Sequence, residues 1–338
     1  MRGLNALACK RLVKVGVALG GNGRVRQAAV AVIVGSMLLL VFAADGLASS
    51  THSSTYIYWT NYGVSGTGGA IGRADLNGTH AKRNFITGAA GPVGITVHGD
   101  YVYWSNPSVE ASSPGTTIGR AKLNGTDVDQ SFITGADSPH SLVIKGRYIY
   151  WDSRLGDTIG RANLDGSDVD NSFITGAAGP WGIAIHGSYI YWTNYGAGGG
   201  SSGTTIGRAN LRGTHVNESL ITGATAPAGL VVTGSSIYWA NQGAGATGTT
   251  IGRANLNGTH VNESFITGAT APAGLAVNGG HIYWSNFGGP QGGGSTIGRA
   301  SINGTHANQS FITGAQTPVG LFIATSATGV AGVAGLGK

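Results

Sequence analysis

One cysteine, Cys9, occurs in 338 residues, and 10% of the chain is charged, where roughly 25% is usual for soluble domains. Cys9 stands in the N-terminal leader, so the body of the chain has no thiol to form a disulfide or hold a metal. Only 14 residues are acidic, 13 of them after residue 48, and most belong to turn motifs, which leaves little for a multi-carboxylate centre. The Gly-x-Ser-x-Gly spelled by Gly199–Gly203 falls in a Gly/Ser run with no strand-to-helix elbow pattern around it, and no His-Glu-x-x-His helix occurs, so neither a serine hydrolase nor a zinc protease is indicated. The Gly-Gly-Asn-Gly at Gly20 falls inside the leader.

The net charge of +6 invites a nucleic-acid reading until its location is considered. Arg2, Lys10, Arg11, Lys14, Arg24 and Arg26 face only Asp45 within residues 1–48, leaving 14 basic and 13 acidic side chains in the rest. A body at +1 has no electrostatic reason to bind a polyanion. The leader places basic residues before an apolar run from Ala28 to Ala44, with small residues at Ala48 and Ser49. That layout predicts a signal peptide over 1–48, or an uncleaved signal anchor, with the remainder outside the cytoplasm.

What the chain has in excess is glycine, 61 residues, about 18% against a usual ~7%. Between the glycines sit regularly spaced aromatic and β-branched residues, which low-complexity sequence lacks. The heptapeptide Ile-Tyr-Trp-Thr-Asn-Tyr-Gly at Ile190 has near-copies at Ile57, Val102, Ile149, Ile237 and Ile282. Its tryptophans, Trp59, Trp104, Trp151, Trp192, Trp239 and Trp284, are 45, 47, 41, 47 and 45 residues apart. Periods near this value belong to propeller blades or helical arrays, and Gly-interrupted β-branched runs exclude helices.

Four short runs recur per period, for example from Gly182, Tyr189, Thr205 and Ser219, the content of a four-stranded blade. In Tyr189–Trp192 both strand faces are apolar, so both must be covered, as between neighbouring blades. The repeat opens at Tyr56 on a second strand and ends with an unpartnered Gly-Leu-Phe-Ile-Ala at Gly320. If that spare strand pairs with Tyr56–Trp59, an all-β six-bladed propeller of four-stranded antiparallel blades closes on itself, without a bare sheet edge. The expected domains are the leader, a propeller over 53–324 and a flexible Gly/Ala-rich tail over 325–338.

The motifs Tyr-Trp-Thr-Asn, Ile-Gly-Arg-Ala-Asn-Leu-Asn-Gly and Phe-Ile-Thr-Gly-Ala resemble the YWTD, or low-density lipoprotein receptor class B, repeat. The resemblance covers residues 56–324 and implies a six-bladed propeller. It departs from the family where Asn61, Asn106, Asn194, Asn241 and Asn286 stand for the family's Asp, and where the third unit reads Asp152-Ser153. Animal members usually carry cysteine-rich modules and this chain has none, so receptor function does not carry over with the fold.

The six tryptophans read as core: about 200 Å² buried apiece is worth on the order of 5 kcal/mol gross. Arg73, Arg120, Arg161, Arg208, Arg253 and Arg299 recur on the third strand, where covered guanidinium groups need acceptors; carbonyls and the second-strand Asn or Asp are the expected ones. The Asn-Gly and Asp-Gly pairs at Asn77, Asn124, Asp165, Asn257 and Asn303 read as two-residue type I′ hairpin turns, rather than as glycosylation acceptors. His80, His215, His260 and His306 share one repeat position with Asp127 and Asp168, but outer positions of adjacent blades lie roughly 20 Å apart and cannot meet on one ion. Asp165, Asp168 and Asp170, like Asp127 and Asp129, lack the full calcium loop. No metal and no cofactor is expected.

The loops between second and third strands differ most between units, from Ser153 to the long stretch at Asn194, which makes their face the expected binding surface. Near the axis on that face, the residue after Pro is Val93, Ala228, Ala273 or Val319, but His140 and Trp181 in units two and three. With Asp137, Asp152, Arg154 and Asp157 nearby, these form the candidate ligand-binding set: Trp181 can stack a sugar ring or anchor a peptide, or simply plug the channel. The expectation is a secreted, monomeric interaction module for a peptide, protein or glycan. It has no nucleic-acid partner and no membrane contact beyond a possible N-terminal anchor. An extracellular lyase or lactonase and a cell-surface structural protein are the alternatives.

Overall fold

The computed structural model describes residues 31–34, 37–40, 52–63, 69–107, 115–197, 200–289 and 292–328. The chain divides into two compact units. In the first, Ala31–Val34 pairs antiparallel with Met37–Leu40; Cys9, the rest of the leader and the tail after Thr328 lie outside the described residues. Among the described residues no helix is long and apolar enough to cross a membrane.

The second unit, residues 52–329, is a propeller of six antiparallel four-stranded sheets, five of them with strands in sequential order from the axis outward. The fourth blade shows the pattern: inner strand Pro180–His186, second Tyr189–Asn194, third Thr205–Asn210 and outer Asn217–Thr222. Its second strand is buried on both faces from Ile190 to Asn194, as its unbroken apolar sequence requires. Trp192 and Ile190 pack against Tyr150, Ile159 and Ile174 of the preceding blade, while Tyr191 enters the next cluster with Ile237 and Trp239. The core is thus a circle of inter-blade clusters rather than one central mass.

Closure follows the expected route. The C-terminal strand Pro318–Thr328 pairs with His52–Asn61, setting Leu321 opposite Trp59 and Phe322 opposite Tyr58. Each blade therefore takes its inner strand from the preceding sequence unit. The closing strand runs to Thr328, opposite His52, four residues into the segment read as a loose tail.

Two local expectations are corrected. The third-to-outer turn is not type I′: Asp75 N donates to Thr79 O, Gly78 N donates to Asp75 O, and only Gly78 within the loop has positive φ, at 87°. This is the three-residue loop with a left-handed Gly. Asn77 stays on the ordinary side of φ because its Oδ1 accepts from Thr79 N and Oγ1. The following His80 is left-handed too, at 52°, with Nδ1 2.7 Å from Asp75 Oδ2; this position locks its own turn.

Two of the repeat arginines bond carbonyls of the next blade, Arg73 to Leu123 O and Arg208 to Leu256 O, and Arg253 bonds the Ser236 hydroxyl, but among the described residues no second-strand Asn accepts from them. Arg208 lies beside Tyr191 in register while Asn194 lies beside Thr205, three residues or about 10 Å along the strand. Instead the guanidinium groups lie over aromatic rings, Arg73 at 4.0 Å from Phe85 and Arg208 at 4.5 Å from Tyr189. Arg208→Met is expected to cost about 2–4 kcal/mol, the sum of a modest cation–π contact and one charged hydrogen bond; an unchanged melting temperature would contradict this.

The freed asparagines have their own use. Asn194 Oδ1 accepts from Ala178 N, and its Nδ2 donates to Thr205 Oγ1 and Glu218 O. Asn241 and Asn286 repeat the arrangement. An ionised Asp could only accept here, so Asn fits the position.

Candidate functional site

Two repeat positions converge where the axis opens on the loop face. The first is the residue after the inner-strand Pro, whose main chain sits at the axis. Four of the six are small or medium, and Val93, Ala273 and Val319 pack together. His140 and Trp181 fill the rest of the circle, their rings 4.2 Å apart. The second is the residue directly after the second-strand Asn or its equivalent: Tyr62, Pro107, Arg154, Tyr195, Gln242 and Phe287. Freed from the strand pairing, these turn toward the mouth and meet the first set.

Their meeting encloses a cavity of about 270 Å³, walled by Tyr62, Phe287, Trp181, His140, Arg154 and Val93 among others. The Arg154 guanidinium lies 4.5 Å from the Trp181 ring centre and 5.1 Å from that of Tyr195. Trp181 and Tyr195 are 4.5 Å apart at 37°, and the Tyr195 hydroxyl donates to Gln242 Oε1 at 2.9 Å. Trp181 is therefore braced by His140 on one side and Tyr195 on the other, with a cation across its face. A second groove at the junction of the sixth and first blades is lined by Gly69, Asn84, Thr87, Gly293, Gln316 and neighbours, without any aromatic or charged group.

Burial sets the electrostatics. His140 is pushed down to about 3 by loss of solvent, with the Arg154 charge adding to the effect, so its imidazole is neutral. Asp152 is fully buried and raised well above the carboxylate range by desolvation. Burial lowers Arg154 and raises Tyr195 and Tyr62. No group of three or more His, Cys, Asp or Glu able to hold a metal ion occurs among the described residues.

Of the six candidate residues, Trp181, His140 and Arg154 meet in this cavity. Asp152 lies beneath it, its Oδ1 accepting from Ser141 N at 2.6 Å. Asp137 and Asp157 are outside the lining. Asp137 Oδ2 accepts from the Ser153 hydroxyl, and Asp157 Oδ1 accepts from Gly179 N; Asn171 Oδ1 takes the Asp137 amide that the repeat Asn would otherwise accept. Sequence reasoning missed Tyr62, Tyr195, Gln242 and Phe287. The available signal was the position itself, immediately after a nearly invariant Asn, where the six repeats show five residue types. The long loops around 64–68, 108–114, 198–199 and 290–291 lie outside the described residues.

The sequence matches no protein-family model and no curated protein. Solved structures do match. A chain in the crystal structure of the nidogen/laminin complex aligns with TM-score 0.59 at 20% identity, covering 80% of this chain and 98% of that one. Virginiamycin B lyase from Staphylococcus aureus aligns at TM-score 0.46 and 20% identity over 64% and 69%. A streptogramin B lyase structure aligns at 0.47 and 18% over 75% and 74%. At these identities the likeness to the first speaks for the fold, and the lyase alignments are too loose to argue from.

Proposed function

We propose that this propeller is an extracellular binding module whose axial mouth seats one aromatic or apolar side chain of a peptide or protein partner. The observation that carries the reading is the brace of His140, Trp181, Tyr195 and Arg154, where aromatic rings and a cation stand at the axis opposite the small residues Val93, Ala273 and Val319. At about 270 Å³ the cavity is smaller than the 300–1,000 Å³ usual for whole small ligands, so it suits an anchor residue. Its walls are mostly apolar, with few donors and acceptors for sugar hydroxyls, which favours a peptide over a glycan. Arg154 at the rim would pair with an acidic or carbonyl group beside the anchor. A chain of the nidogen/laminin complex has the same fold.

Screening the full chain against peptide and glycan arrays, with thermal shift and calorimetry on the hits, tests this. Trp181→Ala is expected to weaken a peptide hit at least 30-fold, as loss of a central aromatic anchor does, while leaving the fold intact. Equal affinity for wild type and Trp181→Ala would overturn it. Stabilisation by calcium or magnesium, reversed by a chelator and accompanied by turnover, would favour the enzyme reading instead.

A further inference from the structure

Four blades carry a hydroxyl on the residue before the second-strand Asn: Thr60, Ser105, Thr193 and Ser285. Each accepts from an inner-strand amide of its own blade, Gly320, Gly94, Gly182 or Gly274, at 2.7, 2.8, 2.9 and 2.8 Å. Each then donates to the axial carbonyl of the next blade, Val93, His140, Ala228 or Val319. One proton per hydroxyl stitches neighbouring blades together. In the third blade this position is Asp152, which accepts from the Ser141 amide as the hydroxyls do. Its other oxygen, Oδ2, is buried without a hydrogen-bond partner, and the next axial residue is Trp181.

The same substitution occurs farther out. On the sixth outer strand, Gln309 Oε1 accepts from Trp284 Nε1 and its Nε2 donates to Thr267 O of the preceding blade at 3.2 Å. In the fourth and fifth blades the position is Glu218 and Glu263. Their Oε2 atoms accept from Trp192 and Trp239 at 3.1 and 3.2 Å, while both Oε1 atoms are buried without a partner. Glu218 Oε1 and Glu263 Oε1 stand 3.9 Å from where a Cβ on Gly176 or Gly223 would lie, and Gln309 Nε2 stands 3.4 Å from the same point on Gly268. A glutamate oxygen occupies the place of an amide donor.

An ionised carboxylate has nothing to donate there, and leaving a buried oxygen unpaired is costly. We propose that Asp152, Glu218 and Glu263 are carried as neutral carboxylic acids whose protons bridge adjacent blades, making the ring a pH-gated assembly that is tightest in acid.

Burial raises all three groups. Asp152 is faced by main-chain amides, that of Ser141 first, and by the Arg154 charge, all of which oppose the shift, while the His140 imidazole keeps its charge state above about 3. The groups acting on Glu218 and Glu263 are uncharged, Trp192 with Asn194 and Trp239 with Asn241. Because the folded values are raised, this stabilisation is complete below the ordinary carboxylate range near about 4 and fades as pH climbs through the raised values. Where the axial mouth is the binding site proposed above, the Asp152 proton also fixes the main chain of Trp181.

Infrared difference spectra and melting curves of the full chain between pH 4 and 8 test the proposal without a ligand. The wild type is expected to show a protonated-carboxyl band that persists above pH 6, and to melt at progressively lower temperature as pH rises. D152N/E218Q/E263Q, which supplies neutral donors, at the two glutamates in the way Gln309 already does, should lose that band and melt about 3 °C or more above wild type at pH 7.5. The gap should close near pH 4. D152T, copying Thr193, should give part of the gain alone. A wild-type melting temperature flat from pH 4 to 8 with no such band, or a triple variant less stable at pH 7.5, would overturn the proposal.

Discussion

A chain ended at Thr317 is expected to lose cooperative unfolding altogether. The deletion removes Val319 and Leu321, both buried, and Phe322 and Ile323, both half-buried. Leu321 belongs to the cluster of Ile57, Trp59, Tyr283 and Ile297 that joins the last blade to the first. Burial of such side chains is worth about 1.5–3 kcal/mol each, so four of them match the ~5–15 kcal/mol that holds a whole domain. The Gly320 amide bond to Thr60 Oγ1 is lost as well, and the full length of His52–Asn61 becomes a bare strand edge. Far-UV circular dichroism and limited proteolysis would report the change, and a synthetic peptide of residues 318–328 added in trans should restore part of it. A truncated chain that still melts in one sharp step close to the full-length temperature would mean that the seam does not hold the ring.

Gly207→Ala should be strongly damaging for a single added methyl group. Gly207 lies opposite Trp192 in register, and a Cβ built there falls 2.4 Å from Trp192 Cε2. The indole cannot retreat, being fully buried between Ile159, Ile174 and Ala209. Overpacking of this kind costs about 3 kcal/mol, a fall of roughly 5–10 °C in melting temperature for a domain of this size. Gly187→Ala is the control: its φ is 58° and nothing lies within 4 Å of the added atom, so it should cost only the ~1 kcal/mol of left-handed strain. Differential scanning calorimetry of the two proteins separates collision from conformation; equal losses would show that backbone preference, not indole packing, fixes these glycines. Each blade repeats the contact, from Gly72 on Trp59 at 2.2 Å to Gly119 on Trp104 at 2.6 Å.

The fold was legible because each of its determinants lies within a few residues in the chain and recurs. Tyr-Ile-Tyr-Trp declares a strand covered on both faces, and the unmatched ends at Tyr56 and Gly320 declare a ring. Turn type was misread because Asn-Gly fits two hairpin loops, and the choice depends on where the Thr79 hydroxyl and amide bond. The arginine partners were half-misread for a similar reason: strand position, not residue identity, decides that Arg208 reaches Tyr189 and not Asn194. Half of the axial cluster was legible, since Trp181 and His140 break the pattern after Pro. The other half, Tyr62, Tyr195 and Phe287, comes from loops that meet only once six blades are wound about an axis. Asp152 looked like a rim charge in the sequence; it proves to be a fully buried group between two blades.

His52 and Thr328 lie side by side at the end of the seam strand remote from Asn61, whereas Tyr62 and the aromatic wall lie beyond Asn61. The two ends of the seam and the Trp181 mouth therefore lie on opposite faces of the ring, so a change at one does not reach the other through a shared loop.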